Sequence, residues 1–332
     1  MSKFKKIIIT LLCLLIIIPL CVFGYAYFKL GSIHEETDYS SKIEAVKGIT
    51  NILLTGTDAR PGETASRTDS MMILTIDNVN KSVKLTSLAR DTYVQLPGRN
   101  PGKLNTAYFW GKEPMLFETI ENEFGIRVDK IVQVDFNALM SIVDVLGGVE
   151  VDVPENNIAE INKYAKECYG IYTSSNKGEF QALTTGGKQT LNGYQALSFS
   201  RVRKVDSAIA RDERQQEVLM AIADKIKSMP ITKYPQLLNS VLPYIKTNID
   251  SAELLKLGMT ALGIISKGND IKTGEFPITD EIHSKGGVYN GAGWVWLYDK
   301  NSTVVLQDFI YKNIDMKDND YLKDNSNIQL NY

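Results

Sequence analysis

An uncharged apolar run from Ile7 to Phe28, IIITLLCLLIIIPLCVFGYAYF, sets the first constraint on this chain. At about 1.5 Å per residue it is long enough to cross the hydrocarbon core of a bilayer. Lys3, Lys5 and Lys6 precede it and Lys29 ends it. A signal peptide shares the basic start and the apolar run, but here the run exceeds the usual h-region and no small-x-small cleavage site follows. The segment is therefore expected to stay as an anchor. Its positive flank is N-terminal, so residues 1–29 read as a cytoplasmic stub with a single transmembrane helix, and the rest of the chain is expected outside the membrane.

The exported part must fold by core packing. Cys13 and Cys21 lie in the apolar run, which leaves Cys168 alone outside and no internal disulfide to form. With 332 residues, 44% apolar and 23% charged, the chain can bury one large core or two ordinary ones, which excludes disorder, collagen and a disulfide-stapled mini-protein. Lys+Arg 37 against Asp+Glu 39, with no basic block beyond the anchor, excludes generic nucleic-acid binding. Without the anchor's four lysines the net charge falls from −2 to about −6. An anionic ligand would have to be held by a local arginine cluster rather than by the global field.

Residues 30–48 read as a polar extracytoplasmic stalk, 49–315 as one domain and 316–332 as a polar, frayed tail. Within the domain, β-branched runs at Asn51–Gly56, Met71–Asp77, Val83–Leu88, Ile131–Val134, Val149–Val153, Ala196–Val202 and Ile271–Phe276 predict strands. Helical patterns are predicted at Pro114–Phe124, Phe136–Leu146, Arg211–Met229, Pro235–Leu242, Ala252–Ile265 and Thr303–Ile314. Residues 155–192 read as an excursion of helix and loop. The alternation predicts an α/β fold, a three-layer α-β-α sandwich around a mixed sheet, preceded by the transmembrane helix.

The polar inventory is narrow. Only His34 and His283 are present, which argues against a histidine-ligated zinc site or a Ser-His-Asp triad. No nucleotide P-loop and no dinucleotide fingerprint occurs. What remains is arginine and carboxylate. Asp58 and Arg60 follow the first strand, where open α/β sheets place ligands, and Arg67, Asp69 and Ser70 stand just before the second. Asp58 and Asp69, brought together, would offer two hard oxygen ligands to Mg²⁺; two loop caps is the alternative. Arg90-Asp91 ends the third strand. Arg201 and Arg203, two apart in a strand, would leave one face of the sheet, and like charges side by side repel unless an anion sits between them. Arg211, Arg214, Gln215 and Val218 fall on one helix face, where basic groups near the N-terminus oppose the dipole and are explained by a bound anion. Guanidinium forks match phosphate oxygens, so the set fits a pyrophosphate; salt-bridged arginines without a ligand is the competing reading.

The blocks NILLTGTDAR (51–60), SRTDSMMILTID (66–77), VKLTSLARDTYVQLPG (83–98), KLNTAYFWG (103–111), VDVLGGVEVDVP (143–154) and LNGYQALSFSRVRKVDSAIARDERQQ (191–216) together resemble the LytR-CpsA-Psr family in order and spacing. They cover a motif core of about residues 50–220. The resemblance implies an extracytoplasmic phosphotransferase of Gram-positive cell membranes. It would move a glycopolymer, of wall teichoic acid or capsular polysaccharide type, from an undecaprenyl-pyrophosphate carrier to peptidoglycan by phosphodiester formation. It implies Asp58 and Asp69 as ligands of Mg²⁺ or Mn²⁺, Arg90, Arg201, Arg203, Arg211 and Gln215 on the pyrophosphate, and Arg60, Arg67 and Arg214 as further members. Asp91 is the candidate base for the acceptor hydroxyl, with turn capping as its alternative role. Asp206 and Asp212 would orient arginines. The family's fold offers an apolar tunnel for the polyprenyl tail, which Phe136, Leu139, Ile142 and Val143 could line or could merely pack beneath. Ala89 and Ser198-Phe199-Ser200 depart from the family's frequent residues without touching a charged position. Trp294 and Trp296 are expected as buried aromatics, with sugar stacking as the alternative. The competing functions are a lipid-pyrophosphate hydrolase and a non-catalytic envelope protein that binds anionic polymer.

Overall fold

The computed structural model describes residues 24–25, 27–57, 68–174, 177–202, 208–289, 291–324 and 328–331. Most of the Ile7–Phe28 run, and with it the expected anchor, lies outside them. Among the described residues no helix is long and apolar enough to cross a membrane.

Twelve strands are described: β1 (Ile49–Thr57), β2 (Thr68–Asp77), β3 (Ser82–Leu88), β4 (Tyr93–Val94), β5 (Gly102–Lys103), β6 (Ile131–Asp135), β7 (Val149–Val153), β8 (Gly187–Leu191), β9 (Ile245–Thr247), β10 (Ile271–Phe276), β11 (Ser284–Val288) and β12 (Trp294–Tyr298). The α-helices that follow or separate them are α1 (Leu104–Phe124), α2 (Phe136–Val145), α3 (Ile158–Ile171), α4 (Gly193–Arg201), α5 (Ala208–Ser228), α6 (Tyr234–Val241), α7 (Ser251–Ile265) and α8 (Thr303–Lys312). Six strands form the central sheet in the order β10-β3-β2-β1-β6-β9. It is mixed: β1 with β6 and β3 with β10 run parallel, the other neighbours antiparallel.

Side chains alternate across a strand, so each strand feeds two layers. Leu53, Met71, Ile73 and Leu88 point to one face, where α1 and α8 cover them with Leu116, Phe117, Ile120, Leu306 and Phe309. Ile52, Ile76 and Val83 point to the other, under Leu257 and Ile264 of α7. The same face carries Leu54, Met72 and Val132 farther along, and these meet a second subassembly. It comprises α2, α3, α4, α5 and the β7–β8 ribbon, with its own core of Val143, Val151, Ile161, Leu191, Phe199 and Val218.

The sheet's mixed topology gathers the chemistry at one edge. Thr57 pairs with both Thr68 and Asp135, and Leu88 pairs with Phe276. The ends of β1, β3, β6 and β10 and the start of β2 therefore lie along one side, the side on which open α/β sheets take ligands.

Three expectations change. Ala196–Val202 is not a strand: residues 193–201 form α4, capped by reciprocal hydrogen bonds of Asn192 and Gln195. Arg201 ends that helix, so it does not share a strand face with Arg203, which lies outside the described residues. Helix α4 crosses α2 so closely that a Cβ on Gly193 would come within 2.3 Å of the Met140 carbonyl oxygen. The segment 30–48 is no free stalk: Leu30 and Ile33 pack on Leu242, Glu35 N donates to Thr247 O, and Tyr39 donates to Glu121. The described part of the tail is not frayed, because Asn319 and Asn331 are buried, Gln329 N donates to Asp299 and Asn331 accepts from Tyr298 N at 2.7 Å. Finally, the ribbon β11–β12 and the first half of α1 carried no expectation of regular structure.

Candidate functional site

Where the second subassembly meets the sheet, the two surfaces do not close. A cavity of about 300 Å³ remains. Its floor is sheet, with Leu54, Met72, Val132 and Val134; its walls are Phe136, Leu139 and Ile142 of α2, Leu197 of α4, and Val218, Leu219 and Ile222 of α5. Phe136, Leu139 and Ile142 thus line a cavity, whereas Val143 is fully buried in the neighbouring core.

Polar groups near the sheet edge are Ser70, Asp135, Ser200, Arg201 and Gln215, and Thr55 and Tyr164 also line the cavity. Arg201 sits at the C-terminus of α4, where the helix dipole favours a cation. Its guanidinium lies 5.0 Å from the Phe136 ring centre and 5.1 Å from that of Tyr164, donates to Cys168 Sγ at 3.3 Å and approaches Glu167 at 3.8 Å. Gln215 of α5 accepts from Ser70 Oγ at 3.0 Å and turns its amide nitrogen to the Ser200 carbonyl at 3.5 Å. Asp135 caps α2 by accepting from Ala138 N at 2.8 Å. Burial pushes its carboxyl above the usual range, with the amides of Ala138 and Asn137 pulling the other way.

A second cluster stands after β3 on the same edge. Arg90 Nε is 3.4 Å from one oxygen of Asp91, and Lys103 Nζ is 2.8 Å from the other. Burial alone would lift the Asp91 carboxyl, but the Lys103 hydrogen bond and the charges of Arg90 and Lys103 outweigh it and hold it below the ordinary range. Both oxygens are engaged by cations, which is the geometry of an anchor.

Of the expected site residues, Arg201 and Gln215 come together at the cavity, and Arg90 and Asp91 pair beside it without lining it. Arg214 does not join Gln215: it is buried, stacks 6.0 Å from Phe199 and donates to the Val202 carbonyl at 2.7 Å. Asp58, Arg60, Arg67, Arg203 and Asp206 lie outside the described residues. Asp69, Arg211 and Asp212 belong to β2 and α5, and their side chains are likewise outside the description. Among the described residues no group of three His, Cys, Asp or Glu could hold a metal.

Sequence reasoning passed over Asp135, Ser200, Tyr164 and Lys103. A signal existed for Asp135, an acid at the end of a strand just before a helix. None existed for Tyr164, which reaches the cavity from a helix hidden in the 155–192 excursion.

The arrangement is an apolar shaft with a polar, cationic end, shaped for an amphiphile with an anionic head. Comparison with known proteins agrees with it. The chain is 30% identical over 273 residues to the polyisoprenyl-teichoic acid–peptidoglycan teichoic acid transferase TagT of Bacillus subtilis (strain 168), covering 77% of this chain and 81% of that protein. It is 28% identical to TagU, a transferase of the same description from Enterococcus faecalis (strain ATCC 700802 / V583), over 93% of this chain and 97% of the relative. A solved structure of TagT bound to LI-WTA superposes with a TM-score of 0.63 at 25% identity, over 84% of this chain and 99% of that one. The family model of the LytR_cpsA_psr family matches residues 20–308, and the chain belongs to that family.

Proposed function

We propose that this protein transfers a glycopolymer from an undecaprenyl-pyrophosphate carrier to peptidoglycan at the outer face of the cell membrane, anchored by the Ile7–Phe28 run. The observation that carries the reading is the cavity: apolar along its length, with Arg201 and Gln215 at one end. The names of the relatives, teichoic acid transferases acting on polyisoprenyl-linked polymer, supply the substrate class.

In this reading the tail lies over Leu54, Met72, Val132 and Val134, and the pyrophosphate meets Arg201 and Gln215. Arg90, Arg203 and Arg211, with Arg60 and Arg67 as further members, complete the positive charge about it, while buried Arg214 holds the end of α4 through the Val202 carbonyl. An acceptor sugar hydroxyl attacks the phosphorus that bears the polymer; the new P–O bond forms, the bond to the bridging oxygen breaks, and polyprenyl phosphate leaves, taking up the proton that the hydroxyl loses. The chain's own work is positioning and charge neutralisation. Asp91 holds Arg90 and Lys103 at the edge where the hydroxyl must arrive. The pairing of Thr57 with Thr68 brings the two ends of the 58–67 connection to one point of the edge. That is the backbone requirement for Asp58 and Asp69 to share a hard cation. Bound there, Mg²⁺ or Mn²⁺ would neutralise charge on the diphosphate.

The test supplies full-length protein in detergent with lipid-linked polymer and polymer-free peptidoglycan, then weighs peptidoglycan-bound against free polymer. Polymer joined to peptidoglycan, lost in Arg201→Ala, is expected. Free polymer in equal amount with or without peptidoglycan would make the protein a hydrolase instead, and no release at all would leave only polymer binding.

A further inference from the structure

The β11–β12 ribbon carries an aromatic face that the transfer chemistry above does not use. Alternation along β12 turns Val295 and Leu297 inward beside Tyr93. It turns Trp294 and Trp296 to the opposite side, their rings 5.1 Å apart at 81°. Across the ribbon stand Val288 and Gly286. Gly286 leaves its side-chain space to the indole: a Cβ there would lie 2.6 Å from Trp294 Cζ2. One side of the ring is thus seated on bare backbone. Trp294 is 40% exposed and Val288 80%.

This face is tied to the site by its backbone. Trp296 N donates to the Asp91 carbonyl at 3.0 Å, and Thr92 and Trp296 form a parallel bridge. The sheet order sets the sequence along the edge as far as β3, with the cavity floor on β6, β1 and β2 and Arg90 and Asp91 after β3, and the separate β11–β12 ribbon joins at Asp91 and Thr92. The cavity takes the donor from one side, so an acceptor has the other side from which to approach. Two indoles and a valine fall far short of the roughly 1,200 Å² that a stable protein interface buries. They match a pyranose ring, whose flat C–H face stacks on an aromatic while its rim of hydroxyls stays free for polar partners.

We infer that Trp294, seated by Gly286 and backed by Trp296, binds a sugar of the acceptor glycan strand and presents its hydroxyl to the Arg90–Asp91 edge. The inference rests on the transferase reading, but binding can be measured without turnover. Full-length protein in detergent is titrated with soluble, polymer-free peptidoglycan glycan strands. Saturable binding is expected, weakened about tenfold in Trp294→Ala. Gly286→Ala, which keeps the indole but pushes it off its seat, is expected to weaken binding as well. In the transfer assay the same two variants should raise the KM for the acceptor and leave the KM for lipid-linked polymer unchanged. Circular dichroism matching the wild type excludes misfolding, and Trp294→Phe should recover part of the affinity. Absence of strand binding by the wild type, unchanged binding by Trp294→Ala, or a raised KM for the donor alone would each overturn the inference. Failure of the transferase reading would show separately, as wild-type protein that binds strands and moves no polymer.

Discussion

Arg201 is placed by rings and a thiol more than by a carboxylate, with Phe136 and Tyr164 on its faces and Cys168 accepting one N–H. A planar guanidinium fits that slot and a compact, strongly hydrated ammonium does not. Arg201→Lys, which conserves charge, is therefore expected to lower kcat about a hundredfold, within the range for loss of one oriented donor, and steady-state kinetics on lipid-linked polymer read it. A fall of less than threefold would show that charge alone suffices. Asp91 acts differently. Its folded pKa is depressed by Lys103 and Arg90 against the effect of burial, so it is ionised throughout the neutral range and is a weak base there. The ion pairs are complete above the ordinary carboxylate value of about 3.9 and fail only as pH falls through the lower folded value. Asp91→Asn should cut activity about tenfold at every pH from 6 to 8 without moving the acid limb of the profile. A lost acid limb would make Asp91 the base.

At the scale of elements, most of the central sheet was legible and the helix that holds Arg201 was not. Leu197, Ser198, Phe199 and Ser200 alternate apolar and polar with the period of a strand, and Phe and Val favour strands. In the structure Gly193 to Ser200 are buried on every side of α4, so no 3.6-residue stripe exists to be read. The Asn192-x-x-Gln195 capping box was the local signal that outweighs the alternation. The six-stranded sheet, by contrast, has one-sided packing requirements on each face, and its β-branched runs declare themselves; Ile271–Phe276 was predicted to the residue. The cavity escaped sequence because its lining residues are those of an ordinary core, and only the failure of two surfaces to meet separates the two. Asp77 and Lys84 show how the sheet is joined to α8. Both side chains are fully buried, 2.9 Å apart, and Lys84 also donates to the Ile310 carbonyl. Burial opposes the Asp77 charge, but Asn80 and Lys84 donate to it and hold its pKa below the ordinary value. Its contribution is complete above about pH 3.9 and is lost as pH falls through the folded value. Asp77→Asn strands the buried ammonium and should cost about 3–5 kcal/mol. Urea denaturation at pH 7 and pH 3 reads both effects: a large gap between wild type and variant at the higher pH, narrowing at the lower.

The molecule as a whole is two packed bodies sharing one sheet. The first, with α1, α7 and α8, fills its contacts with the strands; the second, with α2 to α5, rests on its own core and leaves the cavity in the seam. Native interiors hold few voids larger than a water molecule. An apolar void of about 300 Å³ kept open between two independently packed cores is explained by a ligand that fills it. Filling it from the protein separates this explanation from imperfect packing. Val134, half-buried at the end of β6, points into the void from the sheet side, where its pair in β1 is Gly56. Val134→Phe adds apolar volume where there is space for it, so the melting temperature should hold within about 4 °C of the wild type or rise. Transfer from lipid-linked polymer should fall at least tenfold, because the added ring occupies the path of the tail. Added polyprenyl pyrophosphate should raise the wild-type melting temperature, by the equivalent of about 2.7 kcal/mol at a hundredfold excess over Kd, and should not raise that of the variant. Unchanged transfer by a stably folded Val134→Phe would mean that the tail binds elsewhere, and the void would then be a packing defect tolerated by two cores that each fold without it.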